Sequence, residues 1–258
     1  MNLREAVRAE RRRAPLRALA AGGIPIASIV LLALSDVLLG AAGLVMRAGL
    51  PLTLAVVLIM LPFGAVAVPV VDARERGVLR LLATTPVGPG ALLRAQLHDA
   101  IRPLAVVIGV ALAAAAAVPG AVAIPRSVAH HQLGIDPRLT ALAVALGMLL
   151  TAAVACAALG ALLAAIVAAR VTRTARAMAL GIVVPAVVLL TGGVLPLDIL
   201  APWLARVFEW VPTSVLSRAA ASALAGETAW LLPGVLIACG AVACAALLTR
   251  RSIRACAP

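Results

Sequence analysis

Long uncharged apolar runs, separated by short clusters rich in arginine, set the pattern of this chain. The runs cover residues 18–35, 48–71, 103–125, 139–169, 177–197 and 228–249. A helix needs about 20 apolar residues to cross the hydrocarbon core of a bilayer, and each run meets or approaches that length. The first is short if it must stop before Asp36; it reaches full length with Asp36 at the outer headgroup level and Val37, Leu38 and Leu39 completing it. Strands of a membrane barrel would alternate over about ten positions. These runs are instead continuous in Ala, Leu and Val, so they predict helices. Pro25, Pro62, Pro69, Pro119 and Pro185 are expected kink points, their freed carbonyls met by neighbouring helices.

Composition strengthens the membrane reading. Apolar residues make up 64% of the chain and charged ones 12%, about half the charged share of a soluble domain. A water-soluble fold of this size has too little surface charge at that ratio to stay dispersed. The expectation is an all-α polytopic membrane protein: six transmembrane helices in a single transmembrane domain over residues 1–258.

Arginine placement orients it. One side carries Arg4, Arg8, Arg11, Arg12, Arg13 and Arg17, the 72–102 loop, the 170–176 loop and the tail with Arg250, Arg251 and Arg254. The other holds Arg47, Arg126, Arg138, Arg206 and Arg218. The positive-inside rule places the crowded side, with both termini, in the cytoplasm. The formal net charge of +12 comes from arginine alone, at the ends of apolar runs rather than on a polar face, which argues against nucleic acid as a partner. A long leader with Glu5 and Glu10 favours a retained first helix over a cleaved signal peptide. Within residues 1–17, Leu3, Ala6 and Val7 share one helical face, as in an interfacial helix whose arginines reach lipid phosphates. A solvated basic leader is the alternative.

The 72–101 segment is the most informative polar stretch. Asp72 and Glu75 have capping-box spacing, predicting a helix that starts as the chain leaves the membrane. Val78, Leu81 and Leu82 form an apolar stripe, with Arg74 and Arg80 elsewhere. Thr85 and Pro86 stop that helix, Gly88, Pro89 and Gly90 make a turn, and residues 91–100 lead into the third span. The stripe needs a cover, either lipid and the protein's own loops or a partner's groove. Here Glu75, Arg76, Gly77, Leu79, Leu82, Thr85 and Pro86 resemble the signature loop of ABC type-2 transporter permeases, the drug-resistance and daunorubicin-exporter kind. The resemblance implies that Glu75, Gly77, Leu79, Leu82, Thr85 and Pro86 serve the coupling contact with a separate ATPase subunit. Gly88, Pro89 and Gly90 depart from the polar and bulky residues often found after the proline.

A second stretch, 193–227, also resembles the family: Gly192, Gly193, Pro196, Pro202, Trp203, Leu204, then Trp210 and Pro212. The resemblance implies outer re-entrant helices that help gate an exit. Read from its own residues, Asp198 can cap a helix carrying Trp203, Leu204, Val207, Phe208 and Trp210. Trp203, Phe208, Trp210 and Trp230 fall in or beside it, and rings favour the headgroup level, so a plain interfacial anchor explains them equally well.

A phosphate-binding P-loop needs a lysine, and the sequence contains none. ATP and Mg²⁺ are therefore expected on the partner ATPase, with no cofactor or metal bound by this chain. Spans without internal carboxylates or arginines argue against an ion-coupled carrier. Cys156, Cys239, Cys244 and Cys256 lack metal spacing and read as apolar fillers or idle thiols. His130, His131 and Asp136 read as a solvated loop, His98 beside Asp99 as an interfacial pair, and Ser35, Ser214 and Ser217 lack a His/Asp partner for hydrolysis.

The sequence-level expectation is a permease subunit of an ABC exporter in the bacterial cytoplasmic membrane, paired with a second copy or a paralogue and moving a hydrophobic or amphipathic small molecule or lipid. The alternative is a non-transporting membrane scaffold or assembly factor that recruits a soluble partner.

Overall fold

The computed structural model describes residues 15–84, 90–123, 137–191, 203, 206, 208, 211–227 and 230–255. Regular structure among them is entirely helical. Helix α1 spans Pro15–Leu39, and α2 spans Leu44–Pro62. A π-helical turn, Phe63–Ala67, carries α2 directly into α3, Val68–Glu75. A short α4, Val78–Ala83, precedes α5, Gly90–Ala117, and α6, Pro137–Arg170. Then come α7, Thr174–Thr191, α8, Pro212–Ala225, and α9, Leu231–Ala255.

Among the described residues, three helical stretches are long and apolar enough to cross a membrane: Leu44–Glu75, Ala91–Ala117 and Leu142–Arg170. Gly23–Leu39, Thr174–Val187 and Leu232–Cys244 are shorter apolar helices. Helix α6 is the hub, packing against α2, the π turn, α5, α8 and α9. The main core gathers Ile29, Met46, Leu50, Leu58, Val107, Leu149, Leu216 and Leu224. A second cluster around Phe63, Val66, Val70, Leu93 and Ala168 lies toward the Glu75 end.

Small residues let the helices approach closely, as they do where dispersion rather than water drives helix association. At Gly160 of α6, a Cβ would stand 2.6 Å from the Ile59 carbonyl oxygen and 2.7 Å from its Cα. At Gly234 of α9 it would stand 2.7 Å from the Ala219 Cβ of α8. The π turn also has a local cause. Pro62 and Pro69 bracket it and each removes a backbone donor, so the ladder relaxes by one residue between them.

One expectation changes here. Asp72 and Glu75 do not open a helix: α2, the π turn and α3 run unbroken through Asp72 and end at Glu75. No breaker separates the apolar 68–71 stretch from Asp72, so the helix continues through it. Asp36 makes a contact that the sequence pattern alone did not predict. Its side chain is buried, accepting hydrogen bonds from the Gly43 and Met46 N–H groups, each at 2.9 Å. Those N–H groups lack partners in the first turn of α2, so the carboxylate caps the following helix from within the protein.

Candidate functional site

Around Asp36, the turn between α1 and α2 meets the turn after α5. Gly43 (φ +87°) and Gly120 (φ +80°) face each other so closely that a Cβ on Gly43 would lie 2.1 Å from the Gly120 carbonyl carbon. Arg47 Nε donates to the Gly120 carbonyl at 2.8 Å, and its Nη2 donates to the same oxygen. The Ala123 N–H donates to the Leu224 carbonyl at 2.8 Å, tying this turn to the end of α8. Helix α8 starts with Pro212 in its first turn and ends at left-handed Gly226, where the Glu227 N–H returns to the Ser222 carbonyl at 2.8 Å. Ser214, Leu216, Ala220 and Leu224 are buried, so α8 is packed into the bundle against α2, α6 and α9. Beside it, Arg218 lies 5.1 Å over the Trp230 ring. Trp203 is helical and 70% exposed. The remaining outer-segment residues, Gly193, Pro196, Asp198, Pro202 and Trp210, lie outside the described residues, as do His130, His131 and Asp136.

At the opposite ends of these helices stands the elbow after Glu75. Arg76 caps α3, with its N–H on the Asp72 carbonyl at 3.0 Å, and Gly77 follows at φ +76°. That left-handed conformation turns the chain into α4 at once, and glycine adopts it without the steric cost that other residues bear. Leu79 and Leu82 are half-buried, whereas Val78 and Leu81 face outward, Leu81 at 71% exposure. The exposed apolar pair is thus Val78 and Leu81, with Arg76 and Arg80 exposed around it. Thr84 Oγ1 donates to the Leu81 carbonyl at 2.8 Å and closes α4. Thr85 and Pro86 lie outside the described residues, as does the 1–14 segment.

The charged residues of the elbow turn back onto the protein. Arg76 pairs with Asp72 at 2.9 Å, one helical turn away. Arg74 Nη1 donates to the carbonyls of Ala169, at 3.3 Å, and Val171, at 3.0 Å. Glu75 Oε2 accepts from the Thr174 N–H at 2.8 Å. Arginine therefore meets the carbonyl-rich C-terminus of α6, and glutamate the amide-rich N-terminus of α7, each matching the sign of its helix dipole. The hydroxyl and N–H of Thr174, with the charge of Arg173 behind them, hold the Glu75 carboxyl below the usual carboxylate range. Glu75 itself stands beyond the apolar part of its helix and is exposed.

The sequence pattern reached the stop near residue 84 and, of the apolar stripe, Val78 and Leu81, while Leu82 is half-buried; it ran one helix through Gly77 and so missed the break there. It missed the contacts of Arg74 and Glu75, whose partners lie 95 to 99 positions away. It also missed the Asp36 cap, although a lone carboxylate before the glycine-punctuated 40–43 turn was a usable signal. Between α6, α8 and α9 lies an apolar crevice of about 350 Å³, bordered by Val144, Gly147, Thr151, Ala219, Gly234 and Val235. Cys156 is buried in the core, and Cys239 and Cys244 are exposed on α9. The chain matches no family model, no curated protein and no solved structure.

Proposed function

We propose that this chain is the permease subunit of an ATP-driven exporter, driven through the elbow at Gly77 by a separate ATPase. In this reading all six apolar helices cross the bacterial cytoplasmic membrane, with both termini and the elbow on the cytoplasmic side. Two copies, or this chain and a paralogue, enclose the path. ATP and Mg²⁺ are bound by the partner.

One observation carries the reading. At the arginine-rich end, a left-handed glycine breaks a membrane-length helix and presents Val78 and Leu81 outward on a short second helix. An apolar pair on a short helix, ringed by arginine, suits a partner's groove with an acidic rim. The likeness of residues 75–86 to the coupling loop of ABC type-2 permeases supports the same partner. The absence of lysine from the sequence leaves no P-loop here, so the power source is placed on another chain. The apolar crevice beside α8 fits a lipid-like or amphipathic cargo.

The test is whether an ATPase subunit co-purifies with the tagged chain from its native membrane, followed by transport in inverted vesicles. Wild type should retain the ATPase and move substrate only with ATP. Leu81→Asp should release the ATPase while the chain stays folded. Retention of the ATPase by that variant would overturn the docking role. A scaffold would also recruit a partner through this surface, but its reconstituted complex would move nothing across the membrane.

A further inference from the structure

Glu75 opens the stretch that resembles a coupling loop and Arg74 immediately precedes it, yet both side chains are engaged within the chain. Their partners Ala169, Val171 and Thr174 lie in or directly beside the junction at residues 171–173, between the end of α6 and the start of α7. Arg74 takes two carbonyls from the α6 side, and Glu75 takes the first amide of α7. Arg76 is held by Asp72 on its own helix. A surface built for a partner would direct its charges outward. This one directs outward the apolar pair Val78 and Leu81, with Arg80 beside them.

We infer that Arg74 and Glu75 are positioning residues: they clip the elbow to the α6–α7 junction, so that a push on α4 moves those two helices together with α3. This rests on the permease reading given above. Three features support it. First, the clip sits immediately before the flexible point: α3 ends at Glu75, and Gly77 turns the chain into α4. A load on Val78 and Leu81 therefore reaches the clip before anything else. Second, the bonds join charged side chains to helix termini, where a carboxylate or guanidinium satisfies backbone groups that otherwise lack partners. Third, the junction links α6, the hub of the bundle, to α7, whose Gly181 packs by the π turn so closely that a Cβ added there would stand 3.4 Å from the Phe63 ring. Movement of the junction thus bears on both faces of the bent α2–α3 helix. Without the clip, α4 could still dock on its partner, but its displacement would be absorbed at Gly77.

Docking and transmission separate experimentally. In the full complex with its ATPase, Glu75→Ala and Arg74→Ala should keep the ATPase bound, unlike Leu81→Asp. Substrate moved per ATP hydrolysed should fall by about tenfold, the scale typical of coupling between sites. In a cysteine-free background, Glu75→Cys combined with Thr174→Cys should be bridged by a short bifunctional thiol-reactive reagent that spans the reach of the lost glutamate side chain, and the bridge should restore that ratio. A merely stabilising contact would lower the thermal midpoint and leave the ratio unchanged, which would overturn the inference. Loss of the ATPase from Glu75→Ala would also overturn it, by making Glu75 a docking contact. Cross-linking of the cysteine pair is read on the chain alone, so failure to cross-link refutes the clip itself. Absence of an ATPase from the wild-type preparation refutes instead the permease reading, and the transmission role with it.

Discussion

The two ends of the helices are closed by opposite means. At the Asp36 end, backbone meets backbone: Gly43 and Gly120 touch across two turns, and a buried carboxylate fixes the first amides of α2. At the Glu75 end, long exposed side chains reach across a gap to helix termini, and the left-handed Gly77 stands in open space. The first closure has little slack, because glycine backbone meets glycine backbone at its centre. The second depends on side chains that can let go. One end is built to hold its shape and the other to be moved.

The same substitution tested at both ends breaks this contrast most sharply. Gly43→Ala should cost about 3 kcal/mol or more, because left-handed strain adds to a methyl driven into the Gly120 backbone. A denaturant titration in detergent should show the loss, and a near-neutral result would refute the backbone contact. Asp36→Ala should follow at about 2–3 kcal/mol, since it leaves the Gly43 and Met46 amides buried without an acceptor. Asp36→Asn, which keeps one acceptor oxygen, should recover part of that by the same titration. Gly77→Ala should cost about 1 kcal/mol, for conformation alone, because no atom lies within 4 Å of the added methyl.

The smallest effect concerns acidity. The Glu75 carboxyl is held below its usual range, so its bond to Thr174 is complete above the ordinary glutamate value of about 4.3. The bond is lost as pH falls through the lowered, folded value. A nitroxide pair at Val78 and Arg176 should report a narrow distance distribution at neutral pH that broadens on strong acidification. Glu75→Ala, which removes the acceptor, should show the broad distribution at every pH.

What the sequence made legible was whatever is local. Run length located the helices, but not the break at Gly77: a glycine inside an otherwise helical pattern does not by itself show that it takes the left-handed conformation. The spacing of Asp72 and Glu75 misled, because a pair three apart fits a helix end as well as a helix start. Only the unbroken apolar run before Asp72 decides between them. The contact at Gly160 was invisible for another reason. A glycine in a helix declares that something passes close, but not that the passing atoms belong to Ile59. Arg74 reads as one more interfacial arginine until α6 is seen to end beside it.

The π turn at Phe63–Ala67 sets the phase of everything beyond it. One surplus residue rotates the downstream helix by about 100° relative to an uninterrupted α-helix. Leu50, Leu54 and Leu58, before the turn, thus enter the main core cluster, and Val66 and Val70 enter the second. Deleting Ala65 would restore the ordinary winding and swing Glu75 around the helix axis, away from the amide it now faces. The azimuth of the elbow is therefore set a few turns upstream, between two prolines, by a residue that never touches it.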